Sequence, residues 1–386
     1  MLLLAILMAG ILTMWVPARW ALSAFQVAML GLVGFRIAVR WRAGRGIGLD
    51  ASGLVMAAVV VWGAVQLWAG WTVDAFRTQE VMLDWTVNVA GFALALELAG
   101  GEIQRERFLA GMVAFAAGLS ILAMLTAFSS PPGVIAWWTD VGTSVPTFGP
   151  FVYRNQYAAF VEALLPVALL RAFVDRRRAW LYISAAGLMF ASVVAAGSRT
   201  GAILCSVELL LVPLLIGGRS AWRVVAGMVA AVGGLTLVAG WQALWSRFQE
   251  HNPYGLRWDL LQSSIEMVRA RPLTGWGLGT WSEVYPGFAR YDDGTFVNQA
   301  HNDWAQWAVE GGIPLLLLVL FVAFRVLRPA WRSVWGLGIV AVLVHCFVDY
   351  PMQQRPALAV FFFVMLGMAM RGGELRPPLK SGTSIP

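Results

Sequence analysis

Twelve apolar runs, most of them long enough to cross a lipid bilayer, limit what this chain can fold into more than any other feature. They begin near residues 2, 20, 51, 81, 108, 157, 179, 200, 223, 311, 331 and 356. A helix needs about 20 apolar residues to span a hydrocarbon core roughly 30 Å thick. In lipid the backbone must satisfy its own hydrogen bonds, which leaves helices or closed barrels, and runs of this length select helices. The first run is short and the fourth carries Asp84 and Asn88, so ten to twelve spans are expected, with twelve favoured. Hydrophobic residues make up 59% of the chain and charged ones 13%, against about 45–50% and 25% in a soluble domain. The excess is too large for one buried core. The expected fold class is therefore all-α, a polytopic transmembrane helical bundle forming a single integral membrane domain over residues 1–386. The N-terminal run MLLLAILMAGILTMW lacks a basic n-region and another apolar run follows at once, so it reads as a first span rather than a signal peptide.

The net charge of +7 would suit nucleic acid, but Lys380 is the one lysine among 28 basic residues, and the arginines fall mostly in short gaps between apolar runs. That placement is topological and argues against a nucleic-acid partner. Placing both termini in the cytoplasm puts Arg36/Arg40/Arg42/Arg45, Arg105/Arg107, Arg171/Arg176/Arg177/Arg178, Arg219/Arg223, Arg325/Arg328/Arg332 and the tail with Arg371, Arg376 and Lys380 inside. The alternate connections are poor in basic residues, as the positive-inside rule requires. Two outside segments are long, residues 128–156 and residues 244–309, the second a large loop with room for short helices. Cys205 and Cys346 lie inside apolar runs and suggest neither a disulfide framework nor a metal cluster.

On that outer face the arginines are out of place, and guanidinium groups hold phosphate oxygens well. Arg154 and Asn155 lie in FVYRNQY, Arg199 in the tight turn AAGSRTGA, and Arg257, Arg269 and Arg271 in the large loop. Residues 256–268 show helical periodicity, with Trp258, Leu261, Ile265 and Val268 on one face and Asp259, Gln262, Ser263 and Glu266 opposite. RPLTGWGLGTW then ends that helix, because Pro272 and three glycines cannot continue it. Gly277 and Gly279 form a G-x-G pair without a Walker lysine or strand–helix context, so no nucleotide fold is expected.

The chain has three histidines. His301, in NQAHNDWAQWAVEGG, opens a helix on which Ala305, Ala308 and Gly312 make a stripe of small residues for close packing. Its unperturbed pKa near 6.5 suits the removal of a proton from a hydroxyl, and the competing reading is a histidine that only caps the helix. His345 and Asp349, in VHCFVDYPMQQRP, are expected on one helical face, as a structural or catalytic pair. His251 lies in a turn and receives no role. Trp137, Trp138, Tyr153, Trp258, Trp276, Trp281, Tyr285, Trp304 and Trp307 read mostly as an interfacial aromatic belt, some of them able to stack on sugar rings.

Taken together these pieces resemble the O-antigen ligase/polymerase superfamily, whose signature is His, then Asn, Ser or Gln, then nine residues, then Gly. Here these are His301, Asn302 and Gly312. RNQYAAFVEALLP, GSRTG, RPLTGWGLGTW and VHCFVDYPMQQRPA look like further parts of the same pattern, which covers roughly residues 150–360. The resemblance implies a membrane glycosyltransferase that uses undecaprenyl-diphosphate-linked glycans at the periplasmic face of a bacterial inner membrane, with no metal, nucleotide or other cofactor. It implies His301 as the base or positioning residue for the acceptor hydroxyl, with Arg199 and Arg257 on the lipid diphosphate. Arg154, Asn155, Asn302, Arg271, His345 and Asp349 are expected to bind substrate. The acceptor is a lipid A core sugar, another glycan repeat or a protein hydroxyl, and the first two are favoured because nothing resembles a protein-acceptor module. The competing class is a transporter or lipid flippase, kept open by Asp84, Glu162 and Glu208, although no internal repeat supports it.

Overall fold

A computed structural model describes residues 1–44, 51–217, 225–227, 229–234, 236, 241–249, 255–290, 294, 296–371 and 373. Arg45, Arg219, Arg223, His251, Arg376 and Lys380 lie outside the described residues, as does much of the apolar run that begins near residue 223.

The chain is an all-α polytopic membrane protein. Its helices in order are α1 (Leu2–Thr13), α2 (Arg19–Arg42), α3 (Ala51–Trp68), α4 (Ala75–Ala99), α5 (Glu102–Ser129), α6 (Arg154–Glu162), α7 (Leu165–Val174), α8 (Ala179–Ala196) and α9 (Arg199–Ile216). The large loop carries α10 (Gln242–Phe248), α11 (Gly255–Ala270), α12 (Trp281–Val284) and a 3-10 turn, and α13 (Asp303–Ser333), α14 (Leu337–His345) and α15 (Pro356–Arg371) complete the bundle. A small hairpin, β1 (Val134–Ile135) with β2 (Thr139–Asp140), stands in the 128–156 segment.

Among the described residues eight helices are long and apolar enough to span, α6 and α7 counting as one, rather than the ten to twelve expected. The shortfall lies in α1, α14 and α15, which are helical but short, and in the run near residue 223, much of which lies outside the described residues. α14 can be short because other helices cover it: a side chain at Gly338 would stand 2.5 Å from the carbonyl oxygen of Glu162. That contact falls where α6 gives way to α7, and Pro166, which has no N–H to donate, sits in the first turn of α7.

α4 joins the two ends of the bundle, its 25 residues covering roughly 37 Å. At its C-terminal end Glu97 accepts from Arg36 and Arg40, while Arg371 donates to the carbonyl of Leu96 at 2.8 Å. Arg325, Arg328 and Arg371 line one cavity there. At its N-terminal end Arg77 donates to the carbonyl of Gly279 in the large loop at 3.3 Å. The arginine-rich end and the loop end are thus opposite.

The loop is fastened to the bundle through a break in α13. Gly312 has φ 69° and ψ −174°, a conformation open essentially to glycine alone. The carbonyls released by the break are taken up from outside the helix. Trp276 N–H donates to Val309 at 3.1 Å, Gly277 N–H to Glu310 at 3.0 Å, and the indole of Trp62 to Gly311 at 2.9 Å. In return Ile313 N–H donates to the carbonyl of Pro272 at 2.8 Å. The RPLTGWG strap therefore runs through the gap, and the small-residue stripe expected to continue through Gly312 ends there instead. Ala305 and Ala308, on the near side of the break, face α11 across a groove.

The face of α11 that the loop buries lies beside its apolar stripe rather than on it. Leu260, Ser263, Ser264 and Met267 are buried, whereas Trp258 is 61% exposed. The loop has its own apolar core of Leu260, Met267, Trp281, Tyr285 and Val309, and Ser264 is drawn inward to accept from the Trp281 indole at 3.1 Å. Leu261, Ile265 and Val268 are left to line the groove against α13.

At Gly312 a methyl group would meet the carbonyl oxygens of Pro272 and Leu273 at 2.8 Å. Gly312→Ala is expected to destabilise by about 1–3 kcal/mol or more. Gly118→Ala in α5, where a Cβ meets nothing within 4 Å, should be neutral or slightly stabilising. Thermal unfolding in detergent compares the two, and equal melting temperatures would contradict the strap's role.

Candidate functional site

His301 stands two residues ahead of α13 rather than within it, at φ +51°, where non-glycine residues are uncommon. Its neighbours hold it there. Asn302 is the N-cap of α13: its side-chain oxygen accepts from Ala305 N–H at 2.9 Å. The same amide donates to the carbonyl of Phe347 at 2.8 Å. Asp303 N–H donates to the carbonyl of Cys346 at 2.9 Å, and its carboxylate accepts from Met352 N–H at 3.0 Å. The start of α13 is in this way laced to the turn after α14, which brings Asp349 under His301.

Asp349 is 1% exposed and is the centre of the polar network. Oδ2 accepts from Arg257 Nη2 at 2.7 Å and from the Tyr153 hydroxyl at 3.2 Å, and the Asn155 amide donates to it as well. Oδ1 accepts from Tyr350 N–H at 2.9 Å and lies 3.6 Å from Nδ1 of His301, just beyond direct hydrogen-bond length. Ser198, which caps α9 through Gly201 N–H, donates to the side-chain oxygen of Asn155 at 2.9 Å. The Tyr350 ring meets His301 edge-on at 4.7 Å between centroids and stacks on Tyr153 at 5.1 Å. Burial alone would push the Asp349 carboxyl up, but His301 and the Arg257 guanidinium outweigh it and hold the group at about 2. Burial also raises the Tyr153 phenol, with the Asp349 charge adding to the effect, so it serves the carboxylate as a donor.

Four of the residues expected to form a site are therefore together: Arg257, His301, Asn155 and Asp349. Asn302 joins through the backbone it caps. Arg199, buried at the first position of α9, donates from Nη1 to the carbonyl of Arg247 at 2.7 Å. Arg154 opens α6 directly ahead of Asn155 and is half-buried. Arg271 is used elsewhere, donating to the carbonyl of Trp71 at 2.9 Å and lying 4.0 Å over the Trp276 ring. The His345–Asp349 pair on one helical face does not form. α14 ends at His345 and the chain turns, so Asp349 points to the loop while His345 pairs with Glu162 at 2.8 Å, both fully buried.

Tyr153, Ser198, Tyr350 and Glu162 were not among the expected site residues. Each lies within a stretch already singled out, next to Arg154, Arg199 and Asp349 or seven positions after Asn155 on α6. Among the described residues no group of three His, Cys, Asp or Glu side chains is placed to hold a metal ion. Chemically, a proton on Nδ1 facing Asp349 leaves Nε2 of His301 free to accept another. The Arg257 guanidinium is a planar fork of donors of the kind that holds an anion.

This is a membrane-embedded helical bundle with a carboxylate-centred polar site where a large loop docks on one end. Residues 184–320 match the family model described as O-Antigen ligase, and the resemblance read from the motifs holds over that stretch. No curated protein matches the chain significantly. The matched region contains Arg199, Arg257, Arg271, His301 and Asn302, while Arg154, Asn155, His345 and Asp349 lie outside it. The match supports a glycosyltransferase-type activity on lipid-linked glycans in a membrane.

Because the Asp349 carboxyl titrates below its ordinary value when folded, its contribution is present above about pH 4 and is lost as the pH falls towards 2. That contribution is on the order of 2 kcal/mol. The melting temperature of Asp349→Asn should lie below wild type at pH 6, with the gap narrowing between pH 4 and pH 2. A gap that persists unchanged to pH 2 would show that the charge is not what matters.

Proposed function

We propose that the protein transfers a glycan from undecaprenyl diphosphate to an acceptor hydroxyl at the outer face of a bacterial plasma membrane, as an O-antigen ligase or polymerase. The observation that carries this reading is that His301 and Arg257 both face one buried carboxylate, that of Asp349. Nε2 of His301 takes the acceptor proton as the hydroxyl oxygen bonds to the anomeric carbon. The bond from that carbon to the phosphate oxygen breaks, and the diphosphate leaves with the electron pair. A single displacement of this kind inverts the anomeric centre. Arg257 meets the leaving charge, with Arg199 adding positive potential from the start of α9; stabilisation of this kind is usually the largest catalytic contribution. Arg154, beside Asn155, is placed to extend the anion site. Arg271 and His345 are given positioning duties by their partners.

Two features support the substrate class. An apolar groove lined by Leu261, Ile265, Val268, Leu316 and Phe347 opens beside Asn302, where the first units of a polyprenyl chain would lie. The arginine-rich end is opposite the site, so the positive-inside rule turns the site outward and both termini inward. The acceptor is taken to be a glycan or lipid A core sugar rather than a protein. One observation favours a second reading, transport of the lipid: both carboxylate oxygens of Glu208, within α9, lack a hydrogen-bond partner among the described residues.

Protein reconstituted in vesicles with undecaprenyl-diphosphate oligosaccharide and candidate acceptors tests both readings. His301→Ala, Arg257→Ala and Arg199→Ala are each expected to lower transfer by about 100-fold or more. Transfer at the wild-type rate in His301→Ala and Arg257→Ala would overturn the mechanism, and lipid translocation without glycan transfer would favour transport.

A further inference from the structure

The first 127 residues carry none of the motifs that mark the site, yet two of their helices build one wall of a polar cavity beside it. α2 and α4 contribute Arg19, Arg77, Glu80, Asp84 and Asn88. The facing wall comes from residues that flank the site: Asn298 and Gln299 on the approach to His301, and residues 352–354 just past Asp349. Along α4 the cavity runs from Arg77 to Asn88, roughly 16 Å of helix, so it descends from the site end into the span. Its volume is about 150 Å³, room for roughly five waters.

Its charges already have partners. Arg77 donates to Glu80 at 3.3 Å, Arg19 lies 3.6 Å from the same carboxylate, and Asp84 accepts from the Gln26 amide at 2.7 Å. Its amides do not. Asn88 and Gln299 are each 6% exposed, and the side-chain oxygen of each has no partner among the described residues. Buried acceptors left open in this way are uncommon and costly, and these two, from separate walls, call for a ligand rich in hydroxyl or amide donors. Trp85, Trp307 and Phe363 add an aromatic surface, with Trp85 5.4 Å from Phe363 and 6.2 Å from Trp307. Compensated charge disfavours an anion, carboxamides suit hydroxyl groups, and aromatic rings suit the C–H face of a sugar.

We infer that this cavity is a saccharide subsite, which takes an uncharged sugar of one of the two glycans that meet at His301. The inference rests on the transferase reading and gives the N-terminal helices their part in it. Two probes distinguish the source of the sugar: oligosaccharide released by mild acid from the lipid-linked pool of the source cells, and delipidated core oligosaccharide from the same cells. Each is end-labelled with a fluorophore and titrated against the full-length protein in nanodiscs.

Wild type is expected to bind one of the two. Asn88→Leu and Gln299→Met, which keep side-chain size but remove the open acceptor, are each expected to weaken that binding by about tenfold. Both should melt at or above the wild-type temperature, since they delete an unpaired buried oxygen. Binding of undecaprenyl diphosphate should be unchanged in these variants but lost in Arg257→Ala, which should keep the saccharide. If the transferase reading alone failed, saccharide binding would still respond to Asn88 and Gln299. Binding of neither probe by wild type, or equal binding by wild type and both variants, would overturn the subsite.

Discussion

The site end of this protein depends on one buried carboxylate. Asp349 gathers four donors, Tyr153 and Asn155 at the start of α6, Arg257 on α11 and Tyr350 beside it, and His301 ahead of α13 stands 3.6 Å from it. A carboxylate has about four acceptor positions, so such a set uses its full capacity. An unpaired anion at this depth would be strongly unfavourable. The arginine and the carboxylate therefore hold each other, and the loop helix that carries Arg257 is fixed by the same contact that orients His301.

The carboxylate can do this because the loop is already docked. The strap of residues 272–277 occupies the break at Gly312, where helix carbonyls that would be orphaned in lipid find partners from the strap and from α3. Irregular backbone at this depth is tolerated only where protein covers it. The break is thus both a fastening and a boundary: on its site side lie Ala305, Ala308 and the groove against α11, and on its other side a long apolar helix reaches the arginine-rich end. Function follows from this arrangement. In the proposed reaction a lipid-borne diphosphate and a hydroxyl meet at one point, with apolar surface on one side and a polar, amide-lined cavity on the other.

The sequence made much of this legible, and the limits have physical causes. Helix class followed from run length, and His301, Arg257, Asn155 and Asp349 could be named because each sits in a polar interruption of an apolar chain. Which carboxylate pairs with which histidine could not be read. That choice depends on α14 ending at His345, a matter of one turn, after which Asp349 faces Arg257 and Glu162 is left to His345. The face of α11 that the loop buries could not be read, because periodicity reports an apolar stripe but not a competing core, and Trp281 and Tyr285 lie beyond the helix that they claim. Arg271 looked like an anion ligand, though Trp276 stood five residues away. The cavity had no local signature at all, since Asn88 and Gln299 are more than 200 positions apart.

The central claim is that Arg257 and Asp349 act as one unit in the site, and a double-mutant cycle on transfer rate tests it most directly. Initial rates of glycan transfer in reconstituted vesicles would be measured for Asp349→Asn, Arg257→Ala and the double variant. Groups that act as a unit are strongly non-additive. The double variant is expected to be no slower than the slower single variant, within about twofold. A double variant whose loss is the product of the two single losses would mean that Asp349 and Arg257 act independently, and would contradict the account.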